Sequence, residues 1–133
     1  TMTNNYSSIQ SGVARYTNNY PTGATNIGAG LEFGVESLGR TGARDSASKV
    51  VILMTDGRLN APAGAPNPVN VAKKANEKGV LVFTVTFADE ADQGLMRNVA
   101  IAGGGQHFHA SSGTNLTTIL KTIVRILPTV LTE

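Results

Sequence analysis

Val50-Val-Ile-Leu-Met-Thr-Asp-Gly57 is the stretch whose reading decides the fold of this chain. Five apolar residues in a row, three of them β-branched, run directly into Thr55, Asp56 and Gly57. An uninterrupted run of this kind, bounded by Lys49 and an Asp-Gly pair, is expected to form a strand buried on both faces. The carboxyl end of such a strand is where open α/β sheets place their ligands. Asp56 is therefore a candidate for metal binding or catalysis. Capping of the following loop is the other role open to it.

Downstream, the loop from Arg58 to Pro66 is rich in Ala, Pro and Gly. Asn67 and Pro68 form an N-cap and first-turn pair for a helix that runs to about Lys78 and stops at Gly79. Val80 to Phe87 is β-branched and aromatic throughout and reads as a second strand. An acidic turn from Asp89 to Asp92 precedes a helix marked by Leu95, Met96 and Val99 and ended by Gly103-Gly-Gly105. A short strand follows at Gln106 to Ala110. Thr114 or Asn115 is expected to cap a final helix carrying Leu116, Ile119, Leu120, Ile123 and Leu127 on one face, closed by Pro128.

Upstream, Ile9, Val13 and Tyr16 lie on one side of a short helix beginning near Ser7 or Ser8, followed by a loop from Asn18 to Gly23. A second helix carries Ile27, Leu31, Val35 and Leu38, with Thr25 or Asn26 at its cap. Gly28, Gly30 and Gly34 weaken a helix by up to about 1 kcal/mol each relative to Ala, so close packing against a neighbouring strand or loop is the expected return. Strands alternating with helices predict a doubly wound α/β layer: a parallel sheet with helices on both faces.

The 133 residues suit one domain, with 41% hydrophobic and 15% charged residues. The net charge of +2 is scattered, and aromatic residues are few with no Trp, so neither a phosphate-binding stripe nor a base-stacking surface is present and nucleic acid is not an expected partner. There is no Cys, which removes disulfides and thiolate metal sites. No run approaches the length of a membrane span and no signal-peptide pattern opens the sequence; an export or anchoring segment would lie outside these residues.

Three features carry possible chemistry. Thr25 and Asp56 both sit where loops leave strands or enter helices, and their hydroxyl and carboxylate suit Mg²⁺, Mn²⁺ or Ca²⁺. His107 and His109, at i and i+2 of a strand, share a face and could chelate a transition metal, although surface histidines at a strand end are the plainer alternative. Gly28-x-Gly30-x-x-x-Gly34 lacks the preceding hydrophobic strand of a dinucleotide loop, so nucleotide binding is rejected.

Thr22-Gly-Ala-Thr-Asn-Ile-Gly-Ala-Gly-Leu31, followed some way on by Val51-Ile-Leu-Met-Thr-Asp-Gly57 and by Gly79-Val-Leu-Val-Phe-Thr-Val-Thr-Phe87, resembles the von Willebrand factor A domain. The likeness is nearest to bacterial members, including pilus-assembly proteins of the Tad type, whose C-terminal part Leu95–Gly103 and His107-Phe-His109 resemble. The resemblance implies a metal-ion-dependent adhesion site built from three loops, the second contributing Thr25 and the third Asp56. The first, an Asp-x-Ser-x-Ser loop, does not occur in this sequence; Asp45-Ser-Ala-Ser48 has the wrong place and spacing. The chain thus corresponds to a single partial domain over 1–133, lacking the first strands of the family fold, with weak metal affinity.

Three functions follow as expectations. The leading one is a non-enzymatic interaction or adhesion domain, at a bacterial cell surface or in the periplasm, whose partner meets Thr25, Asn26, Asp56, Gly57 and Arg58. A metal-assisted hydrolase using Asp56, His107 and His109 is the second, and a structural self-associating fragment the third. If its family neighbour is missing, the strand at 50–54 becomes an exposed apolar edge, and pairing with a second copy of the chain is expected there.

Overall fold

The computed structural model describes residues 5–8, 10–11, 14, 24–39, 47–87, 89 and 91–127. Near the start, residues 6–8, 10–11 and 14 are helical, with the Asn5 carboxamide accepting from the Ser7 and Ser8 amides at 3.1 and 3.3 Å. The expected apolar positions Ile9, Val13 and Tyr16, the loop from Asn18 to Gly23, and Pro128 lie outside the described residues.

The remaining elements follow in the order α1 (Ile27–Ser37), β1 (Lys49–Thr55), α2 (Pro68–Glu77), β2 (Val80–Phe87), α3 (Gln93–Ala102), β3 (Gly104–Ala110) and α4 (Gly113–Ile126). The three strands form one parallel sheet in the order β1-β2-β3. The crossover helices α2 and α3 pack on one face, as a common crossover hand requires for strands added in sequence. On that face Leu31, Ala72, Ala75, Val80, Val82 and Val99 form a core flanked by Val51 and Leu53. The opposite face is covered by α4, where Phe83, Val85, Ala110, Ile119 and Ile123 make a second core. The doubly wound α/β layer expected from the sequence is therefore present.

Local chemistry explains most boundaries. The Asn26 carboxamide accepts from the Ala29 amide at 3.0 Å and caps α1. Asn67 does the same for α2 through the Val69 and Asn70 amides at 3.0 and 3.2 Å, with Pro68 in the first turn. Two expectations need correction. Ser112, not Thr114 or Asn115, caps α4: its hydroxyl accepts from the Asn115 amide at 3.1 Å. Strand β3 begins at Gly104 rather than Gln106, because Gly104 adopts φ +70° and a register shift opposite Val82–Thr84 absorbs the extra residue.

The larger correction concerns β1. Its run was expected to be buried on both faces, yet Ile52 and Met54 are 36% and 43% exposed. Val51 and Leu53 meet the helices of the first core, and Val50 touches the second. Ile52 and Met54 point to the α4 side beyond the reach of that helix. Among the described residues, β1 pairs with β2 alone and is an edge of the sheet.

The glycines of α1 divide by what surrounds them. A Cβ on Gly28 would fall 1.8 Å from the Pro66 carbonyl oxygen, whereas one on Gly30 would meet nothing within 4 Å. Gly28→Ala is expected to destabilise the fold by about 1–3 kcal/mol through forced backbone movement. Gly30→Ala is expected to stabilise it by up to about 1 kcal/mol by improving helix propensity. Urea unfolding of the two variants checks this, and shifts of the same sign would contradict the packing.

Candidate functional site

The carboxyl end of β1 carries Thr55, then Asp56 and Gly57. The Thr55 hydroxyl accepts from the Gly57 amide at 3.3 Å and lies 3.4 Å from the Gly57 carbonyl oxygen, to which it donates. This local turn lifts Asp56 out of the sheet, where its side chain is exposed. The second loop arrives from the start of α1. Thr25 and Asn26 are partly buried there, and the Thr25 hydroxyl oxygen sits 3.4 Å from the position a Cβ on Gly57 would take. The two loops thus meet at ordinary contact distance beside Asp56.

Asn60 locks this arrangement. Its side-chain oxygen accepts from the Thr25 amide, and its own amide donates to the Thr25 carbonyl at 3.3 Å. The residue lies 35 positions from Thr25 and carries no local signal; only the fold brings them together. Beyond it, Leu59, Asn60, Pro62, Ala65, Pro66 and Asn67 line an open groove of about 280 Å³ beside the Thr25–Asp56 loops. The contact of Gly28 with Pro66 holds this loop against α1.

The structure brings Thr25, Asn26, Asp56 and Gly57 to one end of the sheet, with the exposed Arg58 next in the chain. A hydroxyl and a carboxylate match a hard divalent cation in kind. They fall short in number, since such ions take about six or more oxygen ligands. Among the described residues no three His, Asp or Glu side chains gather as a metal-binding group. Asp56 is therefore not joined with His107 and His109. Thr55 and His109 align across β2, so their strands are two spacings, about 10 Å, apart.

The histidines belong to a different cluster. Register pairs Thr84 with His107 and Thr86 with His109. Both threonines are fully buried, and each hydroxyl oxygen lies 3.0 Å from Nδ1 of its histidine. The Thr84 hydroxyl gives its single proton to the Met96 carbonyl at 2.9 Å. The His107 ring must then donate from Nδ1, which leaves Nε2 as a bare lone pair. That atom is buried and has no hydrogen-bond partner. Sequence reasoning saw the two histidines and missed the threonines. The signal was there in Thr84 and Thr86, which share the i, i+2 spacing of the histidines.

Burial holds the His107 imidazole below its ordinary value of 6.5, the positive Arg97 and then His109 push it further the same way, and a hydrogen bond to Thr84 opposes them. A lowered value in the fold means the unfolded chain takes up the proton first. The neutral ring's contribution to stability is complete above 6.5 and is lost as pH falls through the folded value. In metal-free buffer the urea midpoint is expected to drop between about pH 7.5 and about pH 5. In His107→Gln that drop is expected to shrink; an equal drop in the variant would show that other groups cause it.

The fold has counterparts among known proteins. The family model for the von Willebrand factor type A domain matches residues 1–122. Proximal thread matrix protein 1 from the mussel byssus, solved with a zinc-occupied MIDAS motif, superposes with a TM-score of 0.66 at 25% identity. The match covers 92% of this chain and 29% of the mussel protein, so the chain spans less than a third of that relative. An aerotolerance-related membrane protein from Bacteroides fragilis gives a TM-score of 0.70 at 16% identity, covering 93% of this chain and 71% of that one. A membrane-spanning protein from Vibrio fischeri gives 0.54 at 20% identity, covering 90% and 67%. The last two likenesses concern the fold alone. No curated protein matches the sequence. Among the described residues, no helix is long and apolar enough to cross a membrane.

Proposed function

We propose that this chain, which belongs to the von Willebrand factor type A domain family, is a non-enzymatic protein-interaction domain that meets its partner at the loops bearing Thr25, Asn26, Asp56, Gly57 and Arg58. The observation that supports this reading is the approach of the Thr25 hydroxyl to Gly57, which brings the loop bearing Thr25 against the loop bearing the exposed Asp56 at the ligand end of the sheet. The cation we assign to the pair is Mg²⁺, or Mn²⁺ or Ca²⁺, held weakly because water supplies most of its ligands. A carboxylate from the partner would complete the coordination. The zinc-occupied motif of the mussel protein supports a divalent ion at this place in the family.

The setting we favour is extracytoplasmic, at a cell surface or in appendage assembly; the byssal matrix protein among the structural relatives supports it. The edge of β1 adds a second contact. Fully burying a side chain such as Ile52 or Met54 yields about 1.5–3 kcal/mol, and both are more than a third exposed beside an edge free among the described residues. A two-fold pairing of β1 with the same strand of a second copy would bury them and continue the sheet.

Two measurements test these assignments. Asp56→Ala is expected to retain its circular dichroism and to lose Mg²⁺ binding by calorimetry; unchanged binding would refute the site. Sedimentation is expected to show a dimer that Ile52→Lys converts to monomer. A wild-type chain that stays monomeric at high concentration would remove the β1 interface and leave the partner site standing.

A further inference from the structure

We propose that Asp56–Gly57 is a site of spontaneous covalent modification, at which the folded chain converts aspartate to isoaspartate at a rate set by the Thr55 hydroxyl. Three observations converge on it. The sequence holds one Asp-Gly pair and no Asn-Gly pair. Asp56 is exposed, and among the described residues its carboxylate makes no hydrogen bond or ion pair. The pair stands just past the end of β1, in a turn that belongs to neither helix nor strand. Asp92 offers the contrast. It is partly buried, Gln93 follows it, and its carboxylate accepts from the Leu95 amide at 2.9 Å as the cap of α3.

The chemistry needs no cofactor and no enzyme. The Gly57 amide nitrogen gives up its proton and attacks the Asp56 Cγ, forming a C–N bond. A carboxylate oxygen leaves as water, and a five-membered succinimide ring results. Water then adds to one of the two ring carbonyls. Opening at Cγ restores aspartate. Opening at the α-carbonyl leaves isoaspartate, with the main chain now running through Cβ and Cγ. One water is lost and one regained, so the overall change is an isomerisation. A glycine at the attacking position has no Cβ to hinder the approach of its nitrogen.

The structure supplies the brake. The buried Thr55 hydroxyl accepts from the Gly57 amide at 3.3 Å and gives its proton to the Gly57 carbonyl at 3.4 Å, so one side chain holds both polar groups of residue 57. Attack requires that amide to leave Thr55. A Cβ at Gly57 would stand 3.4 Å from the Thr25 hydroxyl oxygen, and Gly57 is not among the glycines at positive φ. Alanine therefore fits there. Strand β1 ends at Thr55, whose ladder partner is Thr86. The extra backbone atom of isoaspartate thus falls outside the sheet, and the fold survives the change. What moves is the carboxylate, which becomes the α-carboxylate and lies one carbon nearer the main chain. The modification alters the loop bearing Asp56 and leaves the sheet intact, whether or not that loop meets a cation or a partner.

The test is a tryptic map of the full chain aged for weeks at neutral pH in EDTA, folded or in guanidinium chloride. Lys49 and Arg58 bound a peptide of residues 50–58, and its isoaspartyl form has the same mass and a different retention time. Folded wild type is expected to accumulate that form, more slowly than the denatured chain. Thr55→Val is expected to accumulate it about two- to tenfold faster, the range that one hydrogen bond is worth. Thr55→Ser, which keeps the hydroxyl, is expected to match the wild type, and Gly57→Ala to accumulate less. The circular dichroism of the aged wild type is expected to stay unchanged. Accumulation in the denatured chain with none in the folded wild type would overturn the site. A Thr55→Val rate equal to that of wild type would overturn the brake. If Thr55→Val does not fold, hydrogen exchange at the Gly57 amide of the wild type reads the same bond, and an unprotected amide would overturn it equally.

Discussion

Burial of β2 on every side is the constraint on which the rest of the structure depends. Its backbone pairs with β1 on one flank and β3 on the other. Its side chains alternate between the core under α1, α2 and α3 and the core under α4. Val82, Thr84, Val85 and Thr86 have no solvent exposure at all. A strand so enclosed cannot slip by one residue without sending Phe83 and Val85 to the wrong core. It therefore fixes the register of both neighbours, and through them the place where Asp56 and His109 emerge. The same enclosure makes the two threonine hydroxyls costly unless paired. The Met96 carbonyl and the histidines of β3 are the answer the fold supplies.

Side-chain volume, or its absence, sets the candidate interaction face. Gly28 permits an approach to Pro66 that any Cβ would disturb, and Gly57 lies against the Thr25 hydroxyl at ordinary contact distance. Asn60 adds a reciprocal pair of hydrogen bonds to Thr25. The start of α1, the end of β1 and the loop leading to α2 thereby become one unit, although they are separated in the chain. Asp56 itself is tied by none of these bonds. Its carboxylate stands exposed on a held backbone turn, an arrangement suited to a ligand that brings further donors with it.

The fold was readable wherever one residue type dominates its local energetics. The β-branched run of β2, the Asn67-Pro68 cap and the long apolar face of α4 each dictate their element, and Gly79 stops α2 by adopting φ +75°. It was unreadable where several residues compete or where distance intervenes. Ser111, Ser112, Thr114 and Asn115 can all cap a helix, and the chain uses Ser112. The composition of β1 reads as a central strand, because a sequence records what its side chains prefer and not which elements stand beside them. At the candidate site, Thr25 and Asp56 were legible through family likeness, whereas Asn60 and the Thr–His ladder depend on register and on a contact 35 residues apart.

The two polar clusters of the sheet differ in what holds them. At the end of β1 the donors are oxygens, few and exposed, and selectivity there must come from what a partner adds. On β3 the two histidine rings are held through Nδ1 by hydroxyls buried in the sheet. β2 lies between them, so the two clusters stand about 10 Å, two strand spacings, apart. What couples them is mechanical: Thr55, Thr86 and His109 stand in one row across the three strands. Thr86 holds His109, and Thr55, paired with Thr86, holds the turn beneath Asp56, so the register of β2 positions both.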